Sequence, residues 1–190
     1  VCSDSSSSAG TSEGMFDKLD GVVCKHSITV FQAAPLVFKD KWGNLQPFVK
    51  LAFDKESELL SQCCNETHRA IDLIFDNATS KALLKAVDRQ SSCLHYSGHG
   101  YEKHLAFEDG EGGAVSLGVQ DLHDLVKRTN GEPFKLVFVS SCNSEHAGNT
   151  FVDAGVPHVV CCMQDSEVKD SAALEFTHQF YSSLTLGHTV

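Results

Sequence analysis

Two apolar runs in this chain each stop on a reactive side chain, and that pairing limits the available folds more than any other feature. Cys93 to Gly100 reads Cys-Leu-His-Tyr-Ser-Gly-His-Gly, ending on His99 between two glycines. Leu136 to Ser141 reads Leu-Val-Phe-Val-Ser-Ser and ends on Cys142. Runs of this length and composition suit strands buried on both faces, the condition of a parallel sheet, which delivers the last residue of every strand to one edge. Gly98 and Gly100 permit a tight turn and leave the imidazole between them unshielded. A cysteine forms its thiolate beside a base, a positive charge or a helix N-terminus, and Glu145 to Ala154 reads as a helix starting just after Cys142. The pattern predicts a Cys/His site. Each residue alone has a plainer reading, the thiol as inert packing and the histidine as a turn cap, and only their meeting at one sheet edge favours chemistry.

The remaining chain alternates strand with helix. Ser27 to Ala34 reads as the first strand, ending at Pro35, and Pro35 to Lys50 as a loop with a turn at Gly43-Asn44. Phe53 to Thr67 has helical spacing, with Asp54, Glu56 and Glu58 favouring its N-terminal end. Ala70 to Phe75 is a strand, and Asp76 to Thr79 offers caps for a helix through Val87. Leu105 to Phe107 and Ala114 to Leu117 flank an acidic, glycine-rich turn and read as a hairpin. A helix at Val119 to Lys127, a strand at Val156 to Met163 and a helix at Ser171 to Leu184 follow, the last with Ala173, Phe176, Phe180 and Leu184 as its apolar stripe. This order predicts an α/β domain of three layers, α/β/α, around a mostly parallel central sheet, with chemistry at the carboxyl ends of the strands.

Residues 1–26 contain a serine run and few apolar side chains, so they read as a disordered linker, leaving 27–190 as one domain. A first residue of Val1 rather than Met suggests a piece of a longer protein. The formal net charge of −10 argues against a nucleic-acid partner, whose phosphates demand Lys/Arg-lined surfaces. With no apolar run long enough to span a bilayer and no signal-like segment, a soluble cytoplasmic setting is expected. The 8 cysteines could form a secreted disulfide framework, but Cys93, Cys161 and Cys162 sit in apolar runs and read as reduced, buried thiols. No CxxC spacing suggests zinc. His95, alternating with Cys93 and Ser97, reads as a satisfied core residue.

Ser97-Gly98-His99-Gly100, Leu105 to Gly110, Ser141-Cys142-Asn143-Ser144 and Ala154 to Val160 resemble, in order, the motifs of the CHAT domain. That family is a branch of the caspase-like cysteine peptidases related to separase and the metacaspases. The separation of 43 positions from His99 to Cys142 is close to the roughly 50 of caspases. The resemblance implies a caspase-like fold in which Cys142 is the nucleophile and His99 its proton carrier. It also implies that the Gly100 and Cys142 N–H groups hold the oxyanion. It implies peptide-bond hydrolysis in a protein substrate with no cofactor or metal, and a regulatory region, such as helical repeats, outside this chain. Leu186 to Val190 looks like the middle of a family motif that runs on. Relatives that prefer Arg or Lys carry an acid two positions before the nucleophile, where this chain has Ser140. Asp165, Glu167 and Asp170 lie where the family places part of its binding pocket, although Asp170 would also serve as a helix N-cap. A catalytically silent CHAT module acting in protein–protein signalling is the rival reading. A flavodoxin-like ligand-binding domain is the weaker third, lacking a GxGxxG stretch.

Overall fold

The strand leading to His99 occupies the middle of a five-stranded sheet. The computed structural model describes residues 26–67, 69–128, 134–163 and 169–188. In chain order it contains β1 (His26–Gln32), β2 (Val37–Lys39), β3 (Leu45–Pro47), α1 (Phe53–Asn65), β4 (Ile71–Asn77), α2 (Ser80–Asp88) and β5 (Cys93–Ser97). There follow β6 (Gly100–Tyr101), β7 (His104–Glu108), β8 (Ala114–Gly118), α3 (Val119–Lys127), β9 (Leu136–Ser140), α4 (Glu145–Asp153), β10 (His158–Val160) and α5 (Asp170–Leu186). The main sheet runs β10-β9-β5-β1-β4, and every pairing in it is parallel. β1 leads to β4 on one side, whereas β5 leads to β9 and β10 on the other. The winding therefore reverses between the neighbours β1 and β5, where an open sheet leaves a crevice beyond its carboxyl ends.

Strand periodicity divides the core into the two outer layers. Cys93 and His95 face α1 and α5, joining Ile28, Val30, Leu60, Phe138 and Tyr181. Leu94 and Tyr96 face the opposite layer with Phe31, Val137 and Val139, against Leu83 of α2, Leu122 of α3 and Phe151 of α4. Side chains of this kind each contribute about 1.5–3 kcal/mol when fully buried. A one-residue slip of β9 against β5 would exchange Phe138 with Val139 across the sheet, so both cores hold the register. The result is the three-layer α/β/α arrangement with a parallel centre that the sequence predicts.

Local chemistry sets the helix ends. The Thr79 side chain accepts the Ala82 N–H at 3.0 Å and starts α2, and Gly187, at φ 99°, ends α5 in a left-handed cap.

Several expectations need correction. Pro35 to Lys50 is not only loop: β2 and β3 pair antiparallel around a turn in which the Asp40 carboxylate accepts the N–H groups of Trp42 and Asn44. The strand expected over Val156 to Met163 shrinks to His158–Val160, leaving Cys161 and Cys162 beyond it and only half-buried. On α5 the buried residues are Thr177, Tyr181 and Thr185, while Phe176 is 55% exposed. The helix is turned because the Tyr181 hydroxyl has partners in the core, leaving Phe176 and Phe180 to stack over Phe138 nearer the rim. Asp170 is the first helical residue rather than the N-cap, which is Lys169. Asp165, Glu167 and all of the supposed linker except His26 lie outside the described residues.

Candidate active site

Ser97 and Ser140, the last residues of β5 and β9, lie level in the sheet, so the two turns that follow them start side by side. Gly98 N–H donates to the Ser140 carbonyl at 3.3 Å, and the His99 carbonyl accepts the Ala106 N–H at 2.9 Å. The buried Tyr96 hydroxyl donates to the Ala106 carbonyl at 2.6 Å, fixing the same turn from below. A Cβ on Gly100 would collide with Ser141 Oγ and the Cys142 carbonyl. Glycine here lets the His99 turn lie against the Cys142 turn.

The Cys142 turn is braced from its far side. Asn143 takes a left-handed conformation, φ 51°, which asparagine tolerates better than most residues. Ser144 Oγ donates to the Ser141 carbonyl at 2.8 Å and accepts the Cys162 N–H at 2.9 Å. Helix α4 starts at the next residue, so Cys142 stands at the helix entrance that the sequence predicts.

His99 Nε2 is 2.9 Å from the carbonyl of Val49, and the Phe48 ring meets the imidazole edge-on at 5.0 Å. A carbonyl can only accept, so this bond places the proton on Nε2 and, in the neutral ring, the lone pair on Nδ1. Sequence reasoning missed Val49, because a backbone acceptor has no residue-type signature.

His99, Gly100 and Cys142 line one cavity of about 310 Å³, with Ser97, Ser140, Phe138, Phe176, Cys161, Cys162, Asp170 and Glu56 among its other walls. Asp170 thus reaches the cavity but is exposed. Glu56, expected only to favour the start of α1, instead points inward on the buried stripe of Phe53, Leu60 and Cys63 and is 3% exposed. Its Oε1 lies 3.2 Å from His95 Nε2, and His95 Nδ1 lies 3.1 Å from the Tyr181 hydroxyl. His95 is therefore a satisfied core residue, as its alternation suggests. Burial pushes the Glu56 carboxyl up, but the attraction and hydrogen bond of His95, helped by Ser97 and Ser140, outweigh it and hold the pKa below the ordinary value.

The thiols separate by environment. Burial, opposed by the Tyr181 hydroxyl, pushes Cys93 up to about 12, and burial beside Cys63 pushes Cys64 up to about 11. Burial also raises Cys161, beside Cys162 and Glu145, and Cys162, beside Cys142. Reaction of the folded protein with limiting iodoacetamide near pH 7.5 is thus expected to leave Cys93 and Cys64 unmodified, with Cys142 carrying the first adduct by mass spectrometry. A first adduct on Cys93 would contradict this. Among the described residues no three His, Cys, Asp or Glu side chains gather as a metal site requires.

Fold and site together define a three-layer α/β/α domain with a cysteine and a histidine on abutting turns at the carboxyl edge of a parallel sheet. The chain belongs to the CHAT-domain family, whose model matches residues 31–190 and which is related to the caspase-like cysteine peptidases. No curated protein matches it significantly. Among solved structures it is similar to a response regulator from Hahella chejuensis, at 13% identity over 87% of this chain and 99% of that one, with a TM-score of 0.43. It is also similar to the Mn(2+)-bound form of the response regulator Rcp1, at 12% identity over 87% and 98%, with a TM-score of 0.44. These two likenesses say nothing about activity.

Proposed function

We propose that this chain is a cysteine endopeptidase acting through Cys142 and His99. The observation that carries the reading is the close approach of the Gly100 and Cys142 backbones, beside a His99 whose Nε2 is tied to the Val49 carbonyl. In the proposed reaction the Cys142 sulfur attacks the scissile carbonyl carbon and its proton passes to His99 Nδ1. The N–H groups of Gly100 and Cys142 stabilise the negative oxygen of the tetrahedral intermediate. Collapse breaks the C–N bond, and the departing amine takes the proton from His99. Water, deprotonated by the same nitrogen, then attacks the thioester, releasing the acid and restoring the thiol.

The substrate in this reading is an extended segment of another protein, presented to the cavity edge, with Asp170 and, by the family resemblance, Asp165 beside it. Regions or partners beyond this chain, helical repeats among them, would govern access. No described helix is long and apolar enough to cross a membrane. The described cysteines form no disulfide with one another, which supports a reducing, cytoplasmic setting in this reading.

The test is to incubate the protein with a mixed peptide library and to label it separately with a peptidyl acyloxymethyl ketone. Cleavage at a consistent position and a covalent adduct on Cys142 are expected. An intact library together with an unlabelled Cys142 would favour a silent signalling module.

A further inference from the structure

We propose that Cys162 is a resolving thiol, which captures Cys142 as a reversible disulfide when a hydroperoxide oxidises it. The pairing follows from how β9 and β10 end. Their parallel register sets Val160 beside Phe138, so the chain leaving β10 brings Cys162 level with Ser140, one strand spacing of about 4.8 Å away. The Ser141 N–H turns back onto the Val139 carbonyl at 3.1 Å, which keeps Cys142 close to that strand end. Ser144 then clamps the two segments, its hydroxyl donating to the Ser141 carbonyl at 2.8 Å and accepting the Cys162 N–H at 2.9 Å. The Cys162 thiol is itself hydrogen-bonded to the Ser141 backbone and the Ser144 side chain, the residues on either side of Cys142 and Asn143. Bridged cysteines have Cα atoms roughly 4.4–6.8 Å apart, a span that neighbouring strand ends supply.

The adjacent cysteine is not equivalent. Both residues border the cavity, but successive side chains face opposite layers, and Cys161 sends its sulfur under α4, where a Cβ on Gly148 would collide with it. Burial and the nearby Cys142 push the Cys162 thiol up, so it is the poorer first nucleophile, whereas Cys142 stands at the entrance of α4 beside the His99 turn. The order of events follows. The Cys142 sulfur attacks one oxygen of hydrogen peroxide, the O–O bond breaks, and a sulfenic acid on Cys142 and one water form. The Cys162 sulfur then attacks the Cys142 sulfur, the S–O bond breaks, and hydroxide leaves with the Cys162 proton as a second water. Peroxide takes up the two electrons that the thiols lose. A dithiol reverses the step by exchange, becoming a disulfide itself and returning both thiols. Without Cys162 the sulfenic acid stays open to a second peroxide and passes to sulfinic acid, which a dithiol does not reduce. The disulfide removes the nucleophile proposed above, yet its formation needs no peptide substrate.

The experiment treats the full chain, as wild type, Cys162→Ser and Cys161→Ser, with a small excess of hydrogen peroxide near neutral pH. Remaining thiols are blocked with iodoacetamide, and peptides are sequenced by tandem mass spectrometry, which separates Cys161 from Cys162. A Cys142–Cys162 cross-link is expected in the wild type, and dithiothreitol should restore iodoacetamide labelling of Cys142. In Cys162→Ser the share of Cys142 so recovered should fall by on the order of 10-fold, with sulfinic acid in its place, whereas Cys161→Ser should match the wild type. A wild-type map in which Cys142 is joined to Cys161 or another thiol, or is unmodified or overoxidised without a cross-link, overturns the proposal and needs no variant to fold. Full recovery in Cys162→Ser overturns it too. Cross-linking in a protein whose reduced form cleaves no peptide leaves the resolving thiol in place and removes only the peptidase reading; cleavage without cross-linking does the reverse.

Discussion

Cys142→Ala and His99→Ala are each expected to lower peptide turnover by on the order of 10⁴-fold or more, with the double variant scarcely worse than either. A nucleophile and the base that serves it act as one unit, so removing either forfeits the same covalent route. The fold should survive, since both side chains are half-buried on turns beyond the strand ends and neither fills a core. Of the two, His99→Ala should disturb its surroundings more. It removes the bond to the Val49 carbonyl and the ring contact with Phe48, which together hold the segment after β3 over the site. Thermal unfolding and hydrolysis measured on the same preparations check both halves. Turnover near wild type in either variant would remove the dyad.

Elements whose signal is local were legible in the sequence. β5 and β9 declare themselves by continuous apolar runs, α2 by Thr79 at its cap, and α3 by periodicity with boundaries at Val119 and Lys127 that match the structure. The abutment of the two site turns was also legible, because parallel strands must end at one edge and Gly100 has no side chain to keep them apart. Three features were not. Val49 contributes through its carbonyl, which every residue type possesses. Glu56 looks like an ordinary acidic residue in a first helical turn, and only the placement of α1 against His95 turns it inward. Cys162 reads as strand packing, yet β10 ends early and its amide braces Ser144 beside Cys142. Each depends on contacts between residues far apart in sequence, which local pattern does not encode.

Replacing His95 tests the polar network on which that cavity floor stands, and it should carry the largest stability cost of any single change considered. The ring is wholly buried, stacked on Phe138 at 4.9 Å and joined to both Glu56 and Tyr181. His95→Ala would leave a cavity and strand a buried carboxylate, so a loss of about 3–5 kcal/mol is expected, with His95→Gln losing less because its amide can still donate. The pH dependence should change sign as well. In the wild type Glu56 has its pKa held below the ordinary 4.5, so its contribution is complete above that value and is lost as pH falls through the lower folded pKa. Without His95 the two strongest lowering influences are gone and burial, the largest that remains, works against only the Ser97 and Ser140 hydrogen bonds, so the pKa is expected to rise above that of the unfolded chain. The Glu56 contribution in His95→Ala should then be greatest when the group is protonated and fall as pH rises through the raised folded value. Urea midpoints of wild type and variant from acid to neutral pH would show the gap between them widening as pH rises. Subtracting one curve from the other cancels exposed carboxylates such as Asp40 and Asp109, which lie far from this network. A gap that stays constant with pH would mean that Glu56 and His95 are not electrostatically coupled.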